Sequence, residues 1–188
     1  MLRTIWVFLV GLIASGGFPP LAKWWLFPAA IALFIAHTLN QSLRTRLINP
    51  FFFAMGLFAP MLHWSSSFVG VIPWLLLTLL CATFYLPLSI ALKNSRYLIL
   101  SFPLVWVAIE ALRNRIPFGG FAWGRAGYLI VDSPYSETLA YIGVAGGSLL
   151  MVFIGVAVYR IFSGFRIYWI PALILIAFIP VYHLPATG

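Results

Sequence analysis

Long apolar stretches separated by short polar breaks run through the whole chain. Seven of them approach the length that an α-helix needs to cross a bilayer, which is about 20 apolar residues for roughly 30 Å of hydrocarbon. They are residues 4–17, which is short, 24–39, 50–68, 71–92, 97–112, 139–159 and 167–184. None shows the period-two alternation of a barrel strand. The pattern predicts one all-α domain over residues 1–188, a polytopic membrane helix bundle of about seven transmembrane helices.

Composition supports the same class. Hydrophobic residues make up 63% of the chain and charged residues only 7%, whereas soluble domains carry about 25% charged residues. The net charge of +8 is spread over short loops, a distribution that favours anionic lipid headgroups over nucleic acid. The single cysteine, Cys81, lies within an apolar stretch with no charged residue inside ten positions. It is predicted to be a small buried hydrophobe and not a nucleophile.

The basic residues predict the orientation, because cytoplasmic loops of membrane proteins are enriched in Lys and Arg. The rule places the N-terminus in the cytoplasm and, after seven crossings, the C-terminus outside. The inside set is Arg3, Arg44, Arg46, Lys93, Arg96, Arg160 and Arg166, and the outside set is Lys23, Arg113, Arg115 and Arg125. The three outside arginines lie on the side that the rule disfavours, so topology alone does not account for them.

These three arginines belong to the connection between the fifth and sixth stretches, residues 113–138. Its aromatic residues make it too apolar for a solvated tether, and its glycines make it a poor regular helix. We therefore expect an interfacial or re-entrant loop. Arg113, Arg115 and Arg125, with Trp123, are candidates for holding a phospholipid headgroup, since guanidinium groups pair bidentately with phosphate. The alternative is an interfacial anchor whose arginines only extend to headgroups.

The remaining polar residues have structural interpretations. Glu110 is expected to pair with Arg113 or Arg115 at the same helix end. Ser136 or Asp132 is expected to cap the start of the sixth helix, the alternative for Asp132 being a pair with Arg125. His37 and His63 have no neighbours at metal-ligand spacing, so no metal site and no cofactor are predicted. Small residues share one face of the sixth stretch, where Gly143, Gly147 and Gly155 recur with Met151 at every fourth position, and they indicate close helix packing within the chain rather than a homodimer interface.

Two neighbouring segments carry a family resemblance. Val105-Trp-Val-Ala-Ile-Glu-Ala-Leu-Arg113, followed by Pro117-Phe-Gly-Gly-Phe-Ala-Trp-Gly-Arg125, resembles the apolipoprotein N-acyltransferases, particularly the actinobacterial members. Their pattern has proline where this chain has Ala122. The structural part of the motif comprises Glu110, Phe118, Gly119, Gly120 and Phe121. Gly17-Phe-Pro-Pro20 and Ile142-Gly-Val-Ala-Gly-Gly147 are also similar to the family, so the resemblance covers roughly residues 16–155.

The resemblance implies a multi-pass protein of the bacterial cytoplasmic (inner) membrane that acts in lipoprotein biosynthesis. The family transfers an acyl chain from phospholipid to the N-terminal diacylglyceryl-cysteine of a lipoprotein, using a Glu-Lys-Cys set in a nitrilase-like domain. That catalytic domain is absent from residues 1–188, so no catalytic residue is assigned and the chain alone is expected to be inactive. It would be a truncated product or one half of a split enzyme with a separately encoded nitrilase-like subunit. The alternatives are a small lipid- or solute-handling membrane protein without acyltransferase activity and a structural scaffold.

Overall fold

The computed structural model describes residues 2–164, so the predicted seventh span, 167–184, lies outside the described residues. Within this range the chain forms eight α-helices and no β-strand. The helices are α1 (Leu2–Ser15), α2 (Leu26–Thr38), α3 (Leu43–Met61), α4 (Ser66–Val69), α5 (Val71–Thr83), α6 (Leu88–Ala91), α7 (Leu98–Arg113) and α8 (Leu139–Phe162). Short 3-10 turns connect several of them, at His63–Ser65, Ser95–Tyr97, Ala126–Ile130 and Ser136–Thr138. The prediction of an all-α membrane protein is confirmed.

Three helical segments of the described chain are long and apolar enough to cross a membrane. They are Val71–Ala91, Ser95–Arg113 and Ser136–Phe162. Leu43–Met61 and His63–Val69, which meet at an angle of 52°, form a fourth if the bent pair is one span. The first two apolar helices, α1 and α2, are shorter, with 14 and 13 residues. The count of seven crossings therefore stays a prediction.

Helix α3 begins seven residues before the predicted third span, 50–68. The chain bends after Met61, where the prediction had a continuous helix. Its first turn is capped by the Ser42 side chain, which accepts a hydrogen bond from Thr45 N at 3.4 Å. Arg46 then donates to Gln41 O at 3.0 Å and to Ser89 O at 2.6 Å. Because these carbonyls satisfy the guanidinium, a basic stretch that looks like a loop in the sequence continues as helix.

Small residues set the closest helix contacts. At the crossing of α1 and α3, a Cβ on Gly11 would lie 2.1 Å from Phe53 O and 3.0 Å from Gly56 Cα. At the contact of α2 and α8, a Cβ on Gly155 would lie 2.6 Å from Ile31 Cβ. Backbones that approach this closely exclude any side chain larger than hydrogen. The prediction that the small face of the sixth stretch packs inside the chain is confirmed at Gly155.

An aromatic core holds the helices together around Trp106 of α7, which is almost fully buried. Its indole lies 4.8 Å from the Tyr85 ring and 5.5 Å from the Phe27 ring, both edge-on. The rings of Phe102 and Phe53 lie 6.2 and 6.3 Å away. Edge-to-face pairs at this spacing are favourable arrangements of aromatic quadrupoles. These ring contacts place Trp106, and with it the C-terminal half of α7, at the centre of the bundle.

The connections collect at two opposite ends. At one end, which we call the loop end, the 114–138 connection meets the α1–α2 turn and the bend after α3, through the Trp24–Tyr135 and Trp64–Trp123 ring contacts. At the other end, Asn40 N donates to Leu92 O at 3.1 Å. Within the described part of the chain, Lys23, Arg115 and Arg125 thus lie at the loop end, and Arg44, Lys93 and Arg96 lie at the opposite end. Which end faces the cytoplasm stays a prediction.

Candidate functional site

The connection between α7 and α8 begins with a tight elbow, residues 114–121. Phe121 N donates to Arg113 O at 2.7 Å, and Gly120 N donates to Pro117 O at 2.8 Å. Gly120 has φ of +89°, and a Cβ there would lie 2.1 Å from the Asn114 carbonyl carbon. Only glycine allows the backbone to fold back this closely on the end of α7. The elbow is thus a defined structure and projects its tip, Phe118, away from the bundle.

Behind the elbow lies the fully buried carboxylate of Glu110, on the last turns of α7. Its Oε1 accepts hydrogen bonds from Trp106 Nε1 at 2.9 Å and from Ala126 N at 2.8 Å. Its Oε2 accepts from Ser148 Oγ at 2.5 Å and lies 3.5 Å from Arg125 Nε, an ion pair without hydrogen-bond geometry. A buried carboxylate is stable only when it is paired and hydrogen-bonded in this way. Two of the four partners, Ala126 N and Arg125, belong to the connection, so the carboxylate ties it to α7.

The prediction that Glu110 pairs with Arg113 or Arg115 of its own helix end is wrong. Its partner is Arg125, fifteen positions along the chain, because the elbow returns the connection across the end of α7. The alternative pair of Arg125 with Asp132 is therefore not formed either, and Asp132 lies exposed. Nor does a side chain cap the turn before α8: neither Tyr135 nor Thr138 makes a side-chain cap hydrogen bond.

Ser148 of α8 is part of this site although its sequence context gave no reason to single it out. Its hydroxyl donates to Glu110 and accepts from Gly127 N at 2.8 Å, so it links three segments of the chain. The contact is possible because Gly127 packs directly on α8, where a Cβ would lie 2.1 Å from Val144 O. A lone polar residue among the small residues of the sixth stretch was the only signal available.

Arg113 also lies inside the protein, with only 1% of its surface exposed. Its guanidinium stacks over the Phe58 ring at 4.8 Å and its Nη1 donates to Trp123 O at 2.6 Å. The same group interacts electrostatically with the Cys81 thiol and the Tyr85 hydroxyl. The sequence distance of Cys81 from any charge was therefore misleading, since folding brings a cation beside it. Cys81 is nevertheless buried, as predicted.

The predicted headgroup-binding residues divide into two groups. Arg115 and Trp123 are exposed at the loop end, and Phe118 and Gly119 are exposed with them. Arg113 is buried, and the Arg125 side chain keeps only 15% of its surface. The structure brings these residues together around one loop but gives the arginines different environments. Binding of a headgroup stays a prediction.

A groove of about 530 Å³ opens beside Trp123 at the loop end. Its walls come from the α1–α2 turn, the end of α3 and the connection, and they include Phe18, Met61, Trp64, Gly124 and Tyr128. Trp64 and Trp123 form one side, with ring centroids 5.2 Å apart. The groove is lined mostly by apolar surface, so hydrocarbon is the chemistry that it fits best.

The two histidines between residues 2 and 164 pack against aromatic rings. His63 packs edge-on against Trp74 at 5.2 Å, and His37 contacts Trp6 at 5.8 Å. Between residues 2 and 164 there is no group of three His, Cys, Asp or Glu residues that could hold a metal ion. The chemistry of the described site is therefore that of a buried ion-pair cluster below an exposed aromatic loop.

Comparison with known proteins identifies the family of this chain. Residues 10–157 match the family model described as the apolipoprotein N-acyltransferase N-terminal domain. The chain is 26% identical over 166 residues to the apolipoprotein N-acyltransferase of Pasteurella multocida, a match that covers 81% of this chain and 31% of that protein. It is 26% identical over 183 residues to that of Photobacterium profundum, covering 88% and 35%. It is 27% identical over 164 residues to that of Haemophilus influenzae, covering 81% and 31%.

The chain thus spans about a third of the length of the curated relatives that it matches. In each relative the matched region is part of one longer chain, which gives no support to a separately encoded catalytic subunit. The matched range includes the elbow, the Glu110 cluster and most of α8. The chain belongs to the family of the apolipoprotein N-acyltransferase N-terminal domain.

Proposed function

We propose that this chain is the membrane part of an apolipoprotein N-acyltransferase of the bacterial cytoplasmic membrane. The enzyme transfers an acyl chain from phospholipid to the N-terminal diacylglyceryl-cysteine of a lipoprotein. In this proposal the helices hold the connection between α7 and α8 in a fixed position at the loop end, next to the lipid. The acyl-transferring residues belong to a nitrilase-like part that is outside residues 1–188.

The observation that carries the proposal is the saturated Glu110 carboxylate. A general acid or base needs a free position toward its substrate, whereas both oxygens of Glu110 are occupied by Trp106, Ala126, Ser148 and Arg125. The carboxylate stabilises the connection and is not available for proton transfer. A role in positioning fits this geometry.

The other residues needed for acyl transfer through a thioester are not assembled here. The only cysteine of the sequence, Cys81, is buried. The two lysines, Lys23 and Lys93, are exposed at opposite ends of the bundle. A nucleophilic thiol needs access to its substrate and an activating partner. We therefore expect that residues 1–188 alone do not transfer acyl groups.

An activity assay tests both halves of the proposal. The purified chain is mixed with a diacylated lipopeptide and phospholipid, and N-acylation is followed by the mass of the lipopeptide. We expect no transfer by the chain alone. We expect transfer by a chimaera in which this chain replaces the matching N-terminal part of the Haemophilus influenzae relative. The relative's remaining part without any membrane segment is the control.

Two results would count against the proposal. Transfer by the 188-residue chain alone would show that its own residues are catalytic. A chimaera that folds and inserts but shows no more transfer than the control would show that this membrane part does not support the reaction. The second result would favour the alternative of a lipid-handling protein without acyltransferase activity.

We further propose that Arg115 contacts the phospholipid headgroup beside Trp123, because it is the exposed arginine of the connection. An exposed basic residue at an anionic membrane surface contributes about 1 kcal/mol, which corresponds to roughly fivefold in affinity. Arg115→Gln should weaken binding of phosphatidylglycerol by about that factor. Lys93→Gln, an exposed cation at the opposite end, is the matched control. Equal binding by the Arg115→Gln variant and the parent chain would remove Arg115 from the site.

A further inference from the structure

We propose that the tip of the elbow, Ile116 and Phe118, is inserted into the hydrocarbon at the edge of the bilayer as a continuation of the lipid-facing surface of α7. The surface fits a lipid membrane and not a protein partner. The proposal is independent of acyl transfer.

The first observation is the exposure of Phe118. Its side chain is 105% exposed, more than that of any other large hydrophobic residue in the described part of the chain. The backbone conformation at the tip turns this side chain outward. Phe118 has a φ of +53°, and the φ angles of Gly119 and Gly120, which follow it, are +90° and +89°. A left-handed conformation is uncommon for a bulky residue. The hydrogen bonds at Gly120 and Phe121 hold the elbow in this shape.

The second observation is continuity with α7. An exposed row runs along this helix at every fourth residue, through Leu100, Leu104, Ala108 and Leu112. Residues spaced by four lie on one ridge of a helix. Ile116 is the next member of the row and remains attached to it, since Ile116 N donates to Leu112 O at 3.1 Å. The lipid-facing ridge thus passes from the helix into the elbow and ends at the exposed phenyl ring.

The third observation is length. The span Ser95–Arg113 has 19 residues, which rise about 28 Å at 1.5 Å per residue. The hydrocarbon core is roughly 30 Å thick, and helices are commonly tilted. A helix of this length just spans the core when it is upright and falls short of it when it is tilted. Ile116 and Phe118, which follow Arg113, are in position to extend the apolar surface over the remaining distance.

The fourth observation is the charge beside the tip. Arg115 directly precedes Ile116 in the sequence and is exposed, with a long contact of 3.5 Å from its Nη1 to Ala111 O. An arginine next to inserted apolar residues extends its guanidinium to the phosphate level while its methylenes stay in the hydrocarbon. The elbow therefore has the composition of an interfacial anchor, in which apolar residues enter the hydrocarbon and the neighbouring cation reaches the phosphate groups.

Site-specific labelling tests the proposal on the full chain. Ile116→Cys and Phe118→Cys variants are labelled with an environment-sensitive fluorophore and reconstituted into phosphatidylcholine vesicles, with and without phosphatidylglycerol. The parent chain is the labelling control, because its cysteine, Cys81, is buried. Asp132→Cys, in the same connection and also exposed, is the matched position that we expect to lie in water.

We expect the probes at 116 and 118 to be quenched by lipids that carry a quencher near the headgroup. Quenching by aqueous iodide should be several-fold weaker than for the probe at 132. Phe118→Ser in the labelled Ile116→Cys chain should shift quenching of the 116 probe toward iodide. Iodide quenching equal to that at 132 would place the elbow in water and overturn the proposal. Protection from both quenchers would mean that protein covers the tip, which would equally overturn it.

Discussion

Replacement of Glu110 by glutamine is the most direct test of how the connection is held. The variant keeps the shape of the side chain but turns one oxygen into an NH₂ donor. Both oxygens face donors: Oε1 faces Trp106 Nε1 and Ala126 N, and Oε2 faces Ser148 Oγ and Arg125 Nε. One orientation of the amide points its NH₂ at two N–H donors, and the other points it at the Arg125 guanidinium, although the Ser148 hydroxyl can then rotate to accept from it.

The magnitude follows from these contacts. A hydrogen bond to a charged group contributes about 1.5–3 kcal/mol, and breaking one partner of a buried pair costs about 3–5 kcal/mol. Arg125 keeps 15% of its side-chain surface exposed, so water offsets part of the loss. We expect the connection to be destabilised by about 3 kcal/mol, which raises the population of its open form on the order of 100-fold.

Limited trypsin cleavage in detergent measures this opening. The Arg125–Ala126 bond is protected because Ala126 N is bonded to Glu110 and both residues lie against the bundle. Proteolysis follows the open population when closing is faster than cleavage. Glu110→Gln should therefore increase cleavage at Arg125–Ala126 on the order of 100-fold, while cleavage at the exposed Lys93–Asn94 bond, at the opposite end of the bundle, changes little and serves as the internal reference.

Glu137→Gln is the matched control, since Glu137 is an exposed acid at the start of the turn before α8. It should leave both cleavage rates unchanged. Unchanged cleavage at Arg125–Ala126 in the Glu110→Gln variant would show that the buried carboxylate does not hold the connection, and the reasoning would fail.

Two further substitutions test the packing around the site. Ser148→Ala removes the hydroxyl that links Glu110 to Gly127 N and leaves a buried donor unpaired, so we expect a loss of about 1–3 kcal/mol in unfolding free energy. Gly11→Ala places a methyl group 2.1 Å from Phe53 O and forces α1 away from α3, at a cost of about 1–3 kcal/mol or more. Both are measured from denaturation in detergent.

Controls for these two variants lie on the protein surface. Ser67→Ala removes an exposed hydroxyl, and Ala108→Leu adds volume on the exposed face of α7. Neither should change the midpoint of denaturation appreciably. If Ser148→Ala or Gly11→Ala behaves like its control, the corresponding contact does not stabilise the bundle.

Several features followed from the sequence alone, because they depend on composition and local pattern. The apolar stretches determine the membrane class and the all-α fold, since only helices or closed barrels satisfy their backbone hydrogen bonds in hydrocarbon. The bounds of α7 and α8 agree closely with the predicted spans, whereas α5 ends at Thr83 and only the combined segment Val71–Ala91 matches the predicted 71–92. The motif around Glu110 and Phe118 was also visible, because charged residues make up only 7% of the chain and several of them cluster here beside glycines.

The partners of the charged residues were decided by the tertiary structure. Sequence distance suggested Arg113 for Glu110 and no cation for Cys81, but the elbow carries Arg125 back to Glu110, and packing places Arg113 beside Cys81. Ser148 joined the site from 38 positions away. Pairing between distant segments depends on how helices cross and where loops reverse. These crossings and reversals depend on close backbone contacts at glycines, between segments that are far apart in the sequence. No local sequence pattern therefore predicts them.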